Sequence, residues 1–538
     1  MQRLVYPMFR ENQAHLQENL FALRRRFPER VLQRLEKTIF PMFYEKVFCQ
    51  IDESLFEGLY SQDQASRPNY PVNQLVGMEL LKILLDLSDE QLFEAVDLDI
   101  RFRVALGLTT LEEKPPSDRT LYNFRKRLRI YMNQEEGGKV LKALFDDLTQ
   151  SFLEEAKVKT DMIRMDSTQI SSKMRKMSRA ELMVQAMGKV IQKMSPSEQK
   201  ALPEVFASLT TDEGIRKYLR NLPSTQDKLE GISQMMKDLL DLLKETPISE
   251  TPAYALLKRI FEDQTICVEE QMVVKEGKEI SPNACQSTTD PDATYISKGK
   301  KSFHGYSANL SETAHPDNPV QMITSVDVQP NTHSDRMFFE ETLPLLKEEQ
   351  GMDTLIVDAG YGGQDSADTA NESNVTLIET AIKGTVPKTS AEDFVVNEEG
   401  IEKCPMGHTP IQSRIRKDQL QALFSHTDCE GCDHGACPVK KVAKGMKVTF
   451  SMDKYQKDLR RAALKDKIYQ ALARLRSAIE GKISSLKRCG LGRLQVVGLF
   501  RVRMVVTYSA IVSNLKQLFR YKTGKIRKKP TESVVCAT

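Results

Sequence analysis

Apolar and polar positions along the chain follow two different periods, and the changes of period mark four stretches. From Lys37 to about Leu128 the spacing is helical. The longest apolar-rich run, Leu75 to Leu87, is interrupted by Glu79, Lys82 and Asp86, which predicts an amphipathic helix and not a membrane span. Ser88-Asp-Glu-Gln91 has the form of a capping box, in which a serine and a glutamine three residues on satisfy each other's free backbone N–H groups. Pro115-Pro116 breaks the chain, and Ser117-Asp-Arg119 opens another helix, Thr120 to Leu128, carrying Arg125, Lys126 and Arg127. Short capped helices ending in a basic one suit a helix-turn-helix-like reader of DNA. A helical bundle with solvated basic faces fits the same pattern.

The second stretch opens with a strand after Val158, where Ile163 and Met165 point one way and Met162, Arg164 and Asp166 the other. From about Arg175 to Glu262 the chain turns helical and polar, and its Met-rich faces read as the core of an insertion. The third stretch returns to β character at Ala293–Ile296, Gly305–Leu310 and Gln321–Val328, followed by a helix from Ser334 to Glu349. Thr354 to Gly363 is then a continuous apolar strand closing on Asp358 and a glycine-rich turn, the place where a buried central strand presents functional residues. A last strand is predicted from Val375 to Glu379. In the fourth stretch, Ile468, Ala471, Leu475, Ile479, Ile483 and Leu486 recur every three or four residues, which predicts one long helix from about Lys457 to Arg488 with Glu480 beside its buried stripe.

Length and charge sharpen this picture. A chain of 538 residues corresponds to three or four domains. Its net charge of +3 speaks against a strongly basic nucleic-acid binder until it is resolved by region. From Ser451 to Thr538 there are 21 Lys and Arg against 5 Asp and Glu, a surplus of 16, whereas the preceding residues carry 56 against 69. An acidic body with a basic end points to a polyanionic partner. The N-terminus shows no secretory pattern and no stretch is long enough to span a membrane, so a cytoplasmic protein is expected. Nine cysteines are too few for a disulfide scaffold. Cys404, Cys429, Cys432 and Cys437 fall together, with His408, His426 and His434 nearby, and the Cys429-Glu-Gly-Cys432 pair has zinc-knuckle spacing. A structural zinc would supply folding energy that this segment, without a strong apolar pattern, otherwise lacks. Unligated thiols are the alternative; a redox pair lacks the strand-to-helix context it needs.

Asp166, Asp358 and Glu480 come from two predicted strands and a helix. An aspartate at a strand end is commonly a turn residue or a cap, so the argument rests on the three together. Carboxylates converging on one point repel each other unless cations neutralise them, and hard oxygen ligands suit Mg²⁺ or Mn²⁺. In a two-metal site, ions about 3.5–4 Å apart serve the attacking and leaving oxygens of a phosphodiester.

Five segments carry a family resemblance: Arg67-Pro-Asn-Tyr-Pro71 leading into LSDEQLFEAVDLDIRFRVALGL and SDRTLYNFRKRL; Asp166-Ser-Thr168; Lys298-Gly-Lys-Lys301 with His304-Gly-Tyr306; Asp358-Ala-Gly-Tyr361; and Arg476-x3-Glu480-x6-Lys487. In this order they resemble the DDE transposases of bacterial insertion sequences, and among them the eleven-eighty-two type. Ala473 stands where the related Tyr-x2-Arg-x3-Glu-x6-Lys signature has tyrosine, and the chain has no Trp, so a hairpin route that stacks a flipped base on Trp is left open.

The resemblance implies an α/β fold: an RNase H-like mixed sheet flanked by helices, built from residues 155–175, 290–385 and 445–520. Around it stand an all-helical N-terminal DNA-binding domain (1–150), a helical insertion (176–289), a small Cys-rich zinc insert (400–442) and a basic tail (521–538). It further implies that Asp166, Asp358 and Glu480 hold two Mg²⁺ or Mn²⁺ ions, and that Arg476 and Lys487 contact phosphates near the scissile bond. An Arg476–Glu480 pair within the helix is the plainer reading. Arg125, Lys126, Arg127, Lys301 and His304 would touch DNA, although the turn bearing Lys298, Lys300 and Lys301 also reads as solvated. The expected partners are double-stranded DNA, as element ends and target, and a second copy of the chain in a homodimer or higher oligomer. The implied activity is metal-dependent cleavage and strand transfer. An idle DNA-binding regulator of the same fold and a nuclease that cuts without joining are the competing readings.

Overall fold

The computed structural model describes residues 7–16, 27–63, 65–108, 110, 112–134, 137–220, 225–268, 271–386 and 388–525. Most of the expected basic tail, from Ile526 onward, lies outside the described residues. The N-terminal region is helical, as its spacing predicts: α1 (Glu29–Glu36), α2 (Phe40–Lys46), α3 (Val72–Leu85), α4 (Asp89–Leu98), α5 (Ile100–Ala105), α6 (Asp118–Tyr131) and α7 (Val140–Glu155). Both halves of the Ser88–Gln91 capping box form, and the Ser117 hydroxyl accepts from the Thr120 N–H at the start of α6.

A mixed sheet occupies the middle of the chain. Strand β1 (Met162–Ser171) leads into the insertion, which contains α8 (Arg179–Ile191), α9 (Pro196–Ala201), α10 (Glu204–Ala207), α11 (Asp212–Arg220), α12 (Thr225–Leu243), α13 (Pro252–Gln264) and a hairpin of β2 (Thr265–Val268) and β3 (Gln271–Val274). Met183, Met187 and Met236 are buried in its own core with Leu239 and Ile260. The sheet resumes with β4 (Thr294–Lys298), β5 (Lys301–Thr313) and β6 (Ile323–Pro330), then α14 (Asp335–Gln350), β7 (Thr354–Val357), α15 (Gln364–Glu372) and β8 (Thr376–Glu379). Its order is β4-β5-β1-β7-β8, and β6 pairs with β5 beyond the reach of β4. Strand β1 is antiparallel to β5 and parallel to β7, and β7 is parallel to β8. Alternation along β1 sends Ile163 and Met165 into a core with Phe338 and Leu343 of α14.

Between β8 and the C-terminal helices the chain forms β9 (Val395–Asn397), β10 (Gly400–Lys403), β11 (Gln412–Arg416), β12 (Gln419–Phe424), α16 (His426–Cys429), β13 (Val439–Val442) and β14 (Gly445–Ser451). Four of these strands make a sheet in the order β11-β12-β14-β13 around Leu420, Phe424, Val448 and Phe450. The Cys-rich insert therefore extends through β14 to Ser451. The expected return to the catalytic sheet at 445 is corrected, because β14 pairs with β12 and β13.

Three further expectations change. The helix expected from Lys457 to Arg488 is three helices: α17 (Met452–Ala463), α18 (Lys467–Arg474) and α19 (Ser477–Arg488). Asp466 starts α18 anew by accepting from the Ile468 and Tyr469 N–H groups. Each break rotates the face that follows, so the stripe does not run through: Ile468 is 62% exposed, while Ile479, Ile483 and Leu486 are buried. Helix α3 is not amphipathic, since every residue from Val72 to Leu81 is buried, Glu79 included. Finally, α20 (Leu499–Lys522) lies against α3, α7 and β6, so one core runs from Phe40 to Leu518 and the N-terminal helices do not form a unit apart from the sheet.

Candidate active site

Strand register brings the first two carboxylates level. Arg164 of β1 is paired with Ile356 of β7, and two residues further along these parallel strands stand Asp166 and Asp358. Helix α19 supplies Glu480 from the same side. All three meet one guanidinium: Arg476 Nη2 lies 2.9 Å from Asp166 and 3.5 Å from Asp358, and its Nη1 lies 2.5 Å from Glu480. The intrahelical pair and the convergence expected from the sequence are thus parts of one arrangement. Exposure grades outward, with side chains 11% exposed at Asp166, 37% at Asp358 and 59% at Glu480. Burial pushes the Asp166 carboxyl up to about 6 against the pull of Arg476, and the Asp358 charge adds to the rise. Lys487 stands two turns on along α19, where burial of its ammonium group lowers its pKa against the pull of Asp166.

Two supports behind these residues escape a reading by motif. Glu312 of β5 is 1% exposed and binds Arg164 through Oε2, at 2.9 Å from Nε and 2.5 Å from Nη2. Its Oε1 lies 2.8 Å from Lys482 Nζ. Arg164 also donates to the Leu475 carbonyl (2.7 Å), and Lys482 to that of Gln321 (3.1 Å). Since Arg164 precedes Asp166 by two residues and Lys482 follows Glu480 by two, this buried triad joins the strand of one carboxylate to the helix of another. Their sequence signal is a charged residue inside a strand, Arg164 in β1 and Glu312 in β5. The second support lies beside Asp358. Asp335 accepts from the Ser167 hydroxyl at 2.5 Å, and the buried Tyr361 hydroxyl donates to Asn309 at 2.8 Å. Gly360 leaves the room between two carboxylates: a Cβ there would stand 2.6 Å from Asp335 Oδ2 and 2.8 Å from Asp358 Oδ1.

The other expected DNA contacts are scattered. Arg125 is engaged with Glu79 (2.5 Å) and Asp89 (2.8 Å), bracing α6 against α3 and α4. Arg127 is buried with its guanidinium 5.0 Å from the centre of the Tyr60 ring. Lys126 is half-buried on the same helix. Lys301 is exposed at the β4–β5 turn, and His304 packs against Tyr295 with ring centres 5.0 Å apart. Neither belongs to the Arg476 cluster.

In the Cys-rich insert, Cys404, Cys429 and Cys437 pack against the small sheet's core and Cys432 is exposed. Burial, followed by the neighbouring Cys432 and Cys404, raises the Cys429 thiol; burial and Cys429 push Cys437 up to about 11. His408 and His434 face Asp428 and Asp393 instead, each at 3.8 Å. Among the described residues no group of three or more His, Cys, Asp or Glu side chains is already arranged around a metal position. At the acid cluster the three carboxylates face Arg476. No helix among the described residues is long and apolar enough to cross a membrane.

Two segments match known families. Residues 23–127 match a transposase domain (DUF772), and residues 403–519 match a transposase DDE domain. Glu480, Arg476 and Lys487 fall within the second, while Asp166 and Asp358 lie between the two. Neither a curated protein nor a solved structure matches the chain.

Proposed function

As the chain belongs to the DDE transposases of insertion sequences, we propose that it binds the terminal inverted repeats of its element, cleaves DNA there, and joins the freed 3′-hydroxyl to target DNA. The observation that carries this reading is the reach of a single guanidinium to Asp166, Asp358 and Glu480, which come from β1, from the end of β7 and from α19. The sheet order, with three antiparallel strands (β6, β5, β1) continued by two parallel ones (β7, β8), supports an RNase H-like catalytic fold, and the motif set supports the eleven-eighty-two type.

Three carboxylates that one guanidinium bridges without balancing their charge have the donor chemistry for Mg²⁺ or Mn²⁺. Asp166, Asp358 and Glu480 would hold two such ions, which when bound activate the attacking oxygen and stabilise the leaving one. Asp166 would hold its ion as a carboxylate, so its raised pKa keeps part of the site protonated below about 6 in the free protein. Arg476, freed from the carboxylates, and Lys487, two turns beyond Glu480, would pair with phosphate oxygens flanking the scissile bond. The Arg164–Glu312–Lys482 triad fixes the strand of Asp166 against the helix of Glu480, and the Ser167–Asp335 bond holds the β1 backbone beside Asp358. Lys126 on α6 would contact DNA, and Lys301 and His304 at the β4–β5 turn would contact it farther from the cut, whereas Arg125 and Arg127 act within the protein. We further propose one structural zinc on Cys404, Cys429, Cys432 and Cys437, a cytoplasmic location on the bacterial nucleoid, and pairing of at least two chains to hold two ends.

The test is a cleavage and strand-transfer assay on linear DNA carrying the element's flanking repeats. Asp358→Ala should remove cleavage in Mg²⁺ and leave end binding intact; cleavage by that variant would overturn the reading. Cleaved ends without joined product would make the protein a nuclease.

A further inference from the structure

A cavity of about 1000 Å³ opens between the N-terminal helices and the C-terminal segment that follows Glu480. One wall is the end of α3, the start of α4, and α6; the other runs from Lys487 to Ser509. Its cations divide into two sets. Arg125 and Lys82 are held by Glu79 and Asp89 in ion pairs. Lys126, Arg129, Arg488 and Arg501 also line it, and no ion pair holds them among the described residues. Tyr122, 59% exposed, and the half-buried Phe500 add aromatic surface to the same lining. Lys487 also lines it, two turns along α19 from Glu480, so the cavity opens about 10 Å along that helix from the acid cluster.

We infer that this cavity is a binding site for an unpaired stretch of the DNA strand next to the cleaved bond. The inference rests on the transposase reading and adds a second site to it. Free cations alone would suit any polyanion, and apolar surface alone any hydrophobic ligand. The two interleaved are what a single nucleic-acid strand requires, phosphates taking the positive groups and bases the aromatic faces. A cleft of about 1000 Å³ has room for a few nucleotides of one strand and does not take a duplex inside it. Lys126, Arg129, Arg488 and Arg501 outnumber the one lining acid outside these ion pairs, Asp86, and supply the charge complementarity.

The experiment uses the full chain and duplexes of the element end, either fully paired or with a short unpaired stretch at the cleaved terminus. 5-Iodouracil in the unpaired stretch should photocrosslink to Tyr122, and the same base in the paired duplex should not. Replacing Arg129, Arg488 and Arg501 by Ala should weaken binding of the unpaired end and reduce the magnitude of its logarithmic salt dependence by about one per lost phosphate contact. Cleavage by this variant should then recover at saturating DNA. If the triple variant fails to fold, the crosslink on the unaltered chain decides alone. A crosslink that avoids Tyr122, or a folded triple variant with unchanged affinity and salt slope, overturns the inference. Loss of cleavage in Asp358→Ala alongside either result would leave the transposase reading standing.

Discussion

Lys482 Nζ lies 2.8 Å from Glu312 Oε1, and through that contact α19 is fastened to the strand next to β1. Glu312 gives its other oxygen to Arg164, so one buried carboxylate holds two buried cations, neither more than 8% exposed. Breaking a buried ion pair costs far more than never having made it, because the remaining charge has no water to return to.

Glu312→Gln should therefore destabilise the protein by about 3–5 kcal/mol, measured by urea unfolding. Replacing all three members together, with Arg164→Met, Glu312→Leu and Lys482→Met, should restore most of that stability. If the triad also sets the distance from Asp166 to Glu480, the triple variant will bind DNA ends and still cleave them slowly. Full cleavage by the triple variant would reduce the triad to a stability device.

Arg476 occupies the space between the carboxylates that divalent cations would enter. Arg476→Ala should lower the melting temperature in chelator, since three acids then face each other unscreened. It should also enlarge the stabilisation gained from Mg²⁺, and a tenfold tighter site would add about 1.4 kcal/mol at saturation. Thermal shift with and without Mg²⁺ measures both effects. An equal Mg²⁺ shift in the two proteins would show that Arg476 does not compete for the site.

Asp89 sits in the first turn of α4 and takes Arg125 from α6 and Lys82 from α3. The Arg125 hydrogen bonds, assisted by Lys82, hold its carboxyl well below the usual carboxylate range. A pKa depressed in the folded state gives stability that is present above the unfolded value of about 3.9 and lost as pH falls below it. Asp89→Asn should thus destabilise at pH 7, by less than about 1 kcal/mol because the side chain is half-exposed and screened. The gap between variant and wild type in urea should close as pH falls below about 4.

Protein prepared without chelator should carry about one equivalent of zinc, released when Cys432→Ser removes the exposed thiol of the set. Metal analysis reads the first result and a colorimetric chelator the second. Zinc-free protein with an unchanged unfolding profile would leave the four thiols unligated.

Periodicity and capping residues made most elements legible. Ser88 and Ser117 start helices where their side chains can take orphan N–H groups, and Asp358 follows an apolar strand as expected. What stayed hidden depended on contacts between distant segments. Nothing local in the Leu75–Leu87 run says that α20, more than 400 residues on, will cover its polar side, or that Glu79 will meet Arg125. The regular spacing from Ile468 to Leu486 likewise concealed two breaks, because Asp466 is a cap only if the preceding helix has already ended. At the site, the three acids were legible one by one, yet Arg476 as their common partner was not. Its role follows from the register of β1 on β7, which no residue spacing encodes.

The shared core of α3, α7 and α20 also sets an order of events in synthesis. Helices α3 and α7 pack on one that ends at Lys522, so the sides that α20 covers stay open until that helix has been made. At about 5–20 residues per second, that interval is tens of seconds in which the side of α3 that α20 covers has no partner, while its other side packs on neighbouring N-terminal elements. The cavity that α3 and α6 form with the segment from Lys487 to Ser509 likewise exists only once that segment has been made, so the N-terminal helices wait for it before the site can bind anything.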